Sequence, residues 1–212
     1  PQFDYIRKSV LAFNLPAVEL INYEADDLIA TYTDKILKEG AKVTIVSSDK
    51  DLMQLFKKNV RIYDPMKNKF ISEEDVQNKF GVDSSKVIDV QALAGDSSDN
   101  VPGVPGIGVK TAAELINKYG NLEKLLKSAN EIKQNKRRET LIENKDKALI
   151  SKKLVTLEHN APVNVNLHDF KLKEIDKDKL YQFLREMEFN RLLSSAISVY
   201  GEPNLESIKR NT

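Results

Sequence analysis

The chain has 212 residues, no cysteine, two histidines and a formal net charge of +1. Disulfides, thiolate nucleophiles and cysteine-ligated zinc are excluded, and His159 and His168 alone do not make a histidine-rich metal site. No apolar run approaches a membrane span and the N-terminus lacks a secretory pattern, so a cytoplasmic protein is expected.

From Pro1 to about Phe13 the spacing of Phe3, Ile6, Val10 and Phe13 predicts an amphipathic helix. "PAVELI" reads as a short extended run. "EADDLIATYTDKILKEG" reads as a helix with acids in its first turn and Gly40 at its end. "KVTIVSS" has the β-branched composition of a buried parallel strand, and "DKDLMQLF" follows as a short helix. "VRIYD" and "KFIS" read as strands around the turn "PMKN". Alternating strands and helices imply an α/β fold with a partly parallel sheet. After Phe80 the period becomes helical, through "SSKVIDVQALAG", "KTAAELINKYG", "NLEKLLKSA", "RRETLIENKDKALISKKLVTL" and "DKLYQFLREMEF". An α/β core over 1–80, a helical subdomain over 81–200 and a polar tail over 201–212 are expected.

Charge is unevenly distributed. Residues 1–100 carry 13 Lys/Arg against 17 Asp/Glu, whereas 101–153 carry 12 against 6. This suits a cation site beside a polyanion-binding surface, and equally a set of solvated lysine-rich helix faces.

Three acidic clusters punctuate the first half: Glu24, Asp26 and Asp27 at a helix start, Asp49 and Asp51 just past the strongest strand, and Asp96 and Asp99 in "GDSSDN". The second lies at the carboxyl end of a strand, where open α/β sheets bind ligands. Each has a structural reading as well, because acids cap helices and populate turns. If the three converge, their mutual repulsion requires cations. An all-oxygen donor set suits Mg²⁺ or Mn²⁺, and a pair of such ions suits phosphodiester hydrolysis.

"GVPGIGVKTA" places Gly103, Gly106 and Gly108 before a helix that opens with Lys110 and Thr111. Small residues let a phosphate approach the backbone, and N–H groups at a helix start bind it. The spacing is neither a Walker A loop nor a dinucleotide fingerprint. An ordinary turn between helices is the alternative.

"YEADD", "SSDKDLMQL" and "LAGDSSDNVPGVPGIGVKTA" together resemble the 5′ nuclease superfamily, which includes flap endonucleases, and within it the 5′→3′ exonuclease domains of bacterial DNA polymerase I. The resemblance covers nearly the whole chain. It implies a PIN-like α/β domain joined to a helix–three-turn–helix, or helix–hairpin–helix, region. By resemblance Glu24, Asp26, Asp27, Asp49, Asp51, Asp96 and Asp99 form the catalytic metal site for two Mg²⁺ or Mn²⁺ ions. Gly103, Gly106, Ile107, Gly108, Lys110 and Thr111 would grip duplex DNA, and main-chain carbonyls of Val104 and Ile107 would hold K⁺. Implied substrates are double-stranded or flapped DNA and RNA primer–DNA junctions, in replication and repair. Relative to the family pattern, the chain starts after a first strand bearing an Asp, a second Asp and a basic helical arch. A truncated piece is therefore expected, one that binds duplex but cuts slowly and whose parent continues into a polymerase. The competing function is a duplex-binding module without turnover.

Overall fold

The computed structural model describes residues 2–203. Along these run α1 (Phe3–Ala12), α2 (Ala25–Lys38), β1 (Val43–Val46), β2 (Val60–Asp64), β3 (Lys69–Phe70), α3 (Glu73–Phe80) and α4 (Val87–Ala94). They are followed by α5 (Val109–Tyr119), α6 (Leu122–Lys127), α7 (Asn135–Glu143), α8 (Lys145–Val155), α9 (Lys177–Glu186) and α10 (Asn190–Tyr200). None of these helices is long and apolar enough to cross a membrane. The chain forms two compact units: residues 22–162, and a second that joins the segment up to Ile21 with the segment from Val163 onward.

In the 22–162 unit, β1 pairs in parallel with β2 (Val43↔Val60) and β2 antiparallel with β3 (Tyr63↔Phe70). The sheet is mixed, as the strand–helix alternation implies. β1 departs from the expected fully buried strand: Ile45 is buried, but Val46 is 64% exposed. β1 has one strand neighbour among the described residues and buries one face, so alternate side chains meet solvent.

Apolar residues from both sides of residue 80 share one core, from Ala30 through Ile45 and Ile62 to Leu93, Ile116, Leu141 and Ala148. The 22–162 packing unit therefore runs across residue 80. Helix α4 lies at the centre, with Val87, Val90, Ala92 and Leu93 fully buried, as its nearly continuous apolar sequence dictates. The helical period over "RRETLIENKDKALISKKLVTL" is realised as two helices, α7 and α8. Asn144 breaks it at φ −107°, ψ 22°, and its side-chain amide donates to the Thr140 carbonyl at 2.9 Å. Asparagine competes with the helical backbone in this way.

In the other unit, α9 and α10 bury Leu180, Tyr181, Phe183, Leu184 and Ala196 together with Ala12 of α1. The Tyr181 hydroxyl donates to the Gly201 carbonyl at 2.5 Å, so its burial leaves no orphaned polar group. The apolar face expected on α1 is only partly used, since Phe3 and Ile6 are exposed. "PAVELI" forms no regular element and joins no sheet among the described residues, and its Ile21 begins a turn. Helix α10 was not expected as a separate element: its apolar period is real, but Ser194, Ser195 and Ser198 weaken the signal. Residues 204–212 of the expected tail lie outside the described residues.

Candidate metal centre and nucleic-acid interface

The second acidic cluster leaves the end of β1. The Asp49 N–H donates to Ser47 Oγ at 3.0 Å and the Asp51 N–H to Asp49 Oδ1 at 2.9 Å, which turns the chain into a 3-10 helix over Asp51–Leu55. Leu52, Met53 and Leu55 are buried and fix that turn to the core. The third cluster leaves the end of α4. Gly95 ends the helix at φ 72°, and reciprocal hydrogen bonds between Asp96 and Val101 (2.9 and 2.7 Å) close the loop between them. The Ser98 N–H donates to Asp96 Oδ1 at 3.0 Å.

These two loops bring Asp51, Asp96 and Asp99 together, with one oxygen from each lying within 4.8 Å of the others. The Lys50 ammonium contacts Asp96 and stands 3.9 Å from Asp99. Gln91 of α4 donates from Nε2 to Asp51 Oδ1 at 2.5 Å. Burial raises the Asp51 pKa; the Gln91 hydrogen bond works against this, and the charges of Asp49 and Asp99 add to it. Burial also acts to raise Asp96, but the Lys50 hydrogen bond and the Ser98 N–H hold it below the usual carboxylate range. Hydrogen bonding to Asp96 in turn raises Lys50.

The first cluster is divided in role. Asp27 accepts from the Glu24 N–H at 3.2 Å as half of a capping box, and from the Glu158 N–H at 2.8 Å. Its oxygens thus serve backbone donors at the start of α2 and at the segment after α8. Asp26 is half-buried, and burial together with the charges of Asp49, Asp51, Glu24 and Asp27 pushes its pKa up to about 6. Asp26 and Asp49 therefore lie within electrostatic reach of Asp51, while the tight oxygen group comprises Asp51, Asp96 and Asp99. Sequence reasoning passed over Lys50, Gln91 and Lys79. Burial and then Lys67 and Lys50 lower the Lys79 pKa, against the pull of Asp49 and Asp51. The available signals were a lysine between two aspartates and a glutamine inside the apolar run "VQAL".

The Asp26 environment sets a pH dependence. Its folded pKa is above the ordinary 3.8, so between about pH 4 and 6 the native state holds a proton that the unfolded state has released. Stability from this group is present below pH 4 and is lost as pH rises through 6. Thermal melts in EDTA should show Asp26→Asn flattening the decline between those values. An unchanged difference between the variant and the parent at pH 4 and pH 7 would contradict the assignment. Asp96 and Asp34, held low, act with the opposite sign and at lower pH.

In the hairpin, the glycines differ. Gly103 is buried, with φ +61°; a Cβ there would lie 2.4 Å from the Gly95 nitrogen. Its N–H donates at 2.9 Å to the hydroxyl of Ser151, fully buried on α8. Gly103 thus serves packing. Gly106 (φ +75°) and Gly108 are exposed, with nothing within 4 Å of where a Cβ would stand. Val104 and Ile107 turn their side chains into the core, and the Ile107 N–H donates to the Val104 carbonyl at 3.0 Å. Gly108 caps α5, Lys110 is exposed and Thr111 half-buried. The first N–H groups of α5 have no partners within the helix and open beside the two bare glycines.

Two family models match end to end. Residues 1–81 match "5'-3' exonuclease, N-terminal resolvase-like domain" and residues 82–178 match "5'-3' exonuclease, C-terminal SAM fold". A 5'-3' exonuclease of Aquifex aeolicus is 37% identical over 207 residues, which are 98% of this chain and 70% of that protein. The chain belongs to the 5'-3' exonuclease family. A second similarity is 53% identity over 192 residues to DNA polymerase I of Rhizobium leguminosarum, covering 91% of this chain and 19% of that protein. The chain spans about a fifth of the DNA polymerase I relatives it matches. Among solved structures, T5 5'-exonuclease with bound zinc superimposes with a TM-score of 0.63 at 26% identity, over 68% of this chain and 53% of that one. The catalytic core of Rad2 in complex with DNA shares the fold, with a TM-score of 0.54 at 16% identity over 86% of this chain and 62% of that one.

Proposed function

We propose that this chain is a structure-specific 5′ nuclease that hydrolyses phosphodiesters of duplex and flapped DNA with Mg²⁺ or Mn²⁺, two ions acting together. The observation that carries the reading is the Asp51–Asp96–Asp99 oxygen group in a 5'-3' exonuclease family member. The donor set fits a hard divalent ion: carboxylate oxygens from two loops, no sulfur, and Lys50 as one cation against the charge of three acids. Asp51, Asp96 and Asp99 would hold one ion. Asp26 and Asp49, with Glu24 and Asp27 behind them, supply the charge for a second. Such ions, when bound, supply Lewis acidity toward water and toward the scissile phosphate.

The hairpin performs the binding. Gly106 and Gly108 let a phosphate reach the backbone, the first N–H groups of α5 after Ile107 face it, and Lys110 and Thr111 add a charge and a hydroxyl. Gly103 supports this from beneath. Carbonyls of Val104 and Ile107 would take K⁺. None of these groups reads base edges, so binding is independent of sequence. The bound DNA of Rad2 and the metal of T5 5'-exonuclease support the assignment by analogy. The DNA polymerase I relatives support a role in cytoplasmic replication and repair, with RNA primers and flaps removed ahead of a polymerase.

The test is cleavage of a labelled 5′-flap duplex. Release of the flap in Mg²⁺ and none in EDTA is expected. Duplex binding without cleavage at saturating Mg²⁺ would reduce the chain to a binding module. Binding itself should carry the hairpin's signature. Lys110→Ala should flatten the plot of log affinity against log salt by about 0.9, the value of one phosphate contact. A slope unchanged from the parent would remove Lys110 from the interface.

A further inference from the structure

We infer that Gln91 is a positioning residue for the metal centre, its amide holding Asp51 in the orientation that completes the Asp51–Asp96–Asp99 group. The inference rests on the metal reading above. Gln91 sits on α4 between Val90 and Ala92, both fully buried, and is itself only 3% exposed. A position chosen for packing alone would carry an apolar side chain like its neighbours. Gln91 instead places a polar amide in the core, and its Oε1 is buried without a hydrogen-bond partner. Such a group is costly to retain.

Its hydrogen bond runs from Nε2 to Asp51 Oδ1, at 2.5 Å. Chemistry dictates this orientation: reversed, the amide would set its carbonyl oxygen against an ionised carboxylate. The donor is rigid because α4 is fixed on several sides, packing against α5 and α8 within one core. Asp51, by contrast, stands at the start of a short 3-10 turn. A rigid helix thus reaches across forty residues of sequence to fix a carboxylate on a loop. Neighbours of this kind set the orientation and basicity of metal ligands, and losing one typically weakens metal binding about 10–100-fold.

Gln91→Met keeps the length of the side chain and removes the donor; Gln91→Leu does so with a different shape. Both should bind Mn²⁺ about 10–100-fold more weakly by calorimetry. Their melting temperatures in EDTA should stay within a few degrees of the parent's, because removing the orphaned carbonyl offsets the loss of the donor to Asp51. Flap cleavage should need more Mn²⁺ yet return to within about threefold of the parent rate at saturation, a change in metal requirement and not in turnover. A folded variant with the parent's Mn²⁺ affinity would overturn the role of Gln91, as would a rate loss that persists at saturating Mn²⁺. A parent chain that binds no Mn²⁺ would overturn the metal reading, and this inference with it.

Discussion

Gly103→Ala should destabilise the 22–162 unit by about 2–5 kcal/mol, the sum of a crowded core and a left-handed backbone. The added Cβ would stand 2.4 Å from the Gly95 nitrogen and 2.6 Å from its Cα. Both are backbone atoms and cannot rotate away. Gly95 cannot retreat easily, because its N–H is bound to the Gln91 carbonyl at 2.8 Å and the next residue bridges to Val101. Moving Gly103 would break the Ser151 hydrogen bond and bury an unsatisfied N–H. Gly106→Ala is the control. It shares the positive φ but has open space around it, so it should cost only about 1 kcal/mol. Urea unfolding of the two variants measures the difference. Equal midpoints would mean that the close approach of Gly95 and Gly103 does not constrain the fold.

That contrast marks how far the sequence could be read. Both positions appear as glycines in one short run, and sequence reasoning assigned both to phosphate. Burial separates them, and the burial of Gly103 depends on Ser151, forty-eight residues further along. Local signals served well where the cause is local. The β-branched run "VTIV" forms a strand, "DSSDN" forms the loop after α4, and Gly108 precedes a helix. The acidic loops at the ends of β1 and α4 could be located for the same reason. Their convergence on Asp51, Asp96 and Asp99 depends on the packing of α4 against the strand–loop unit, which no periodicity records. The pairing of the chain's two ends into one unit was equally hidden. It rests on long-range contacts such as the Asn14 amide to the Glu174 carbonyl at 2.8 Å. Asp27 shows a further effect hidden in the sequence: beside Asp26 it reads only as an acid of the first cluster, while in the fold each of its oxygens also accepts a backbone N–H.

Asp51→Asn should abolish flap cleavage while leaving a more stable apo fold. Asp51 is the member of the oxygen group that couples to the other acids: it stands with Asp96 and Asp99 in the group, feels the charge of Asp49, and its own charge acts on Asp26. Burial, with the charges of Asp49 and Asp99 added and the Gln91 hydrogen bond and Lys50 opposing, holds its pKa above the ordinary value, so at neutral pH its ionised form weakens the fold. An amide of the same shape removes that repulsion and still accepts the Gln91 hydrogen bond through its carbonyl. In EDTA the variant should therefore melt above the parent. With Mn²⁺ the order should reverse. A ligand at a hundred times its dissociation constant stabilises the native state by about 2.7 kcal/mol, and only the parent retains the full set of carboxylates needed to bind at that strength. Cleavage should fall by at least about a thousandfold, the equivalent of roughly 4 kcal/mol of transition-state stabilisation. Duplex binding should persist, because the hairpin and Lys110 are untouched. The crossing of the two melting curves separates this outcome from simple misfolding, which would lower stability in both buffers. If Asp51→Asn gained as much stability from Mn²⁺ as the parent and cut at a similar rate, Asp51 would not be a ligand, and the metal centre would have to be sought among Glu24, Asp26 and Asp49.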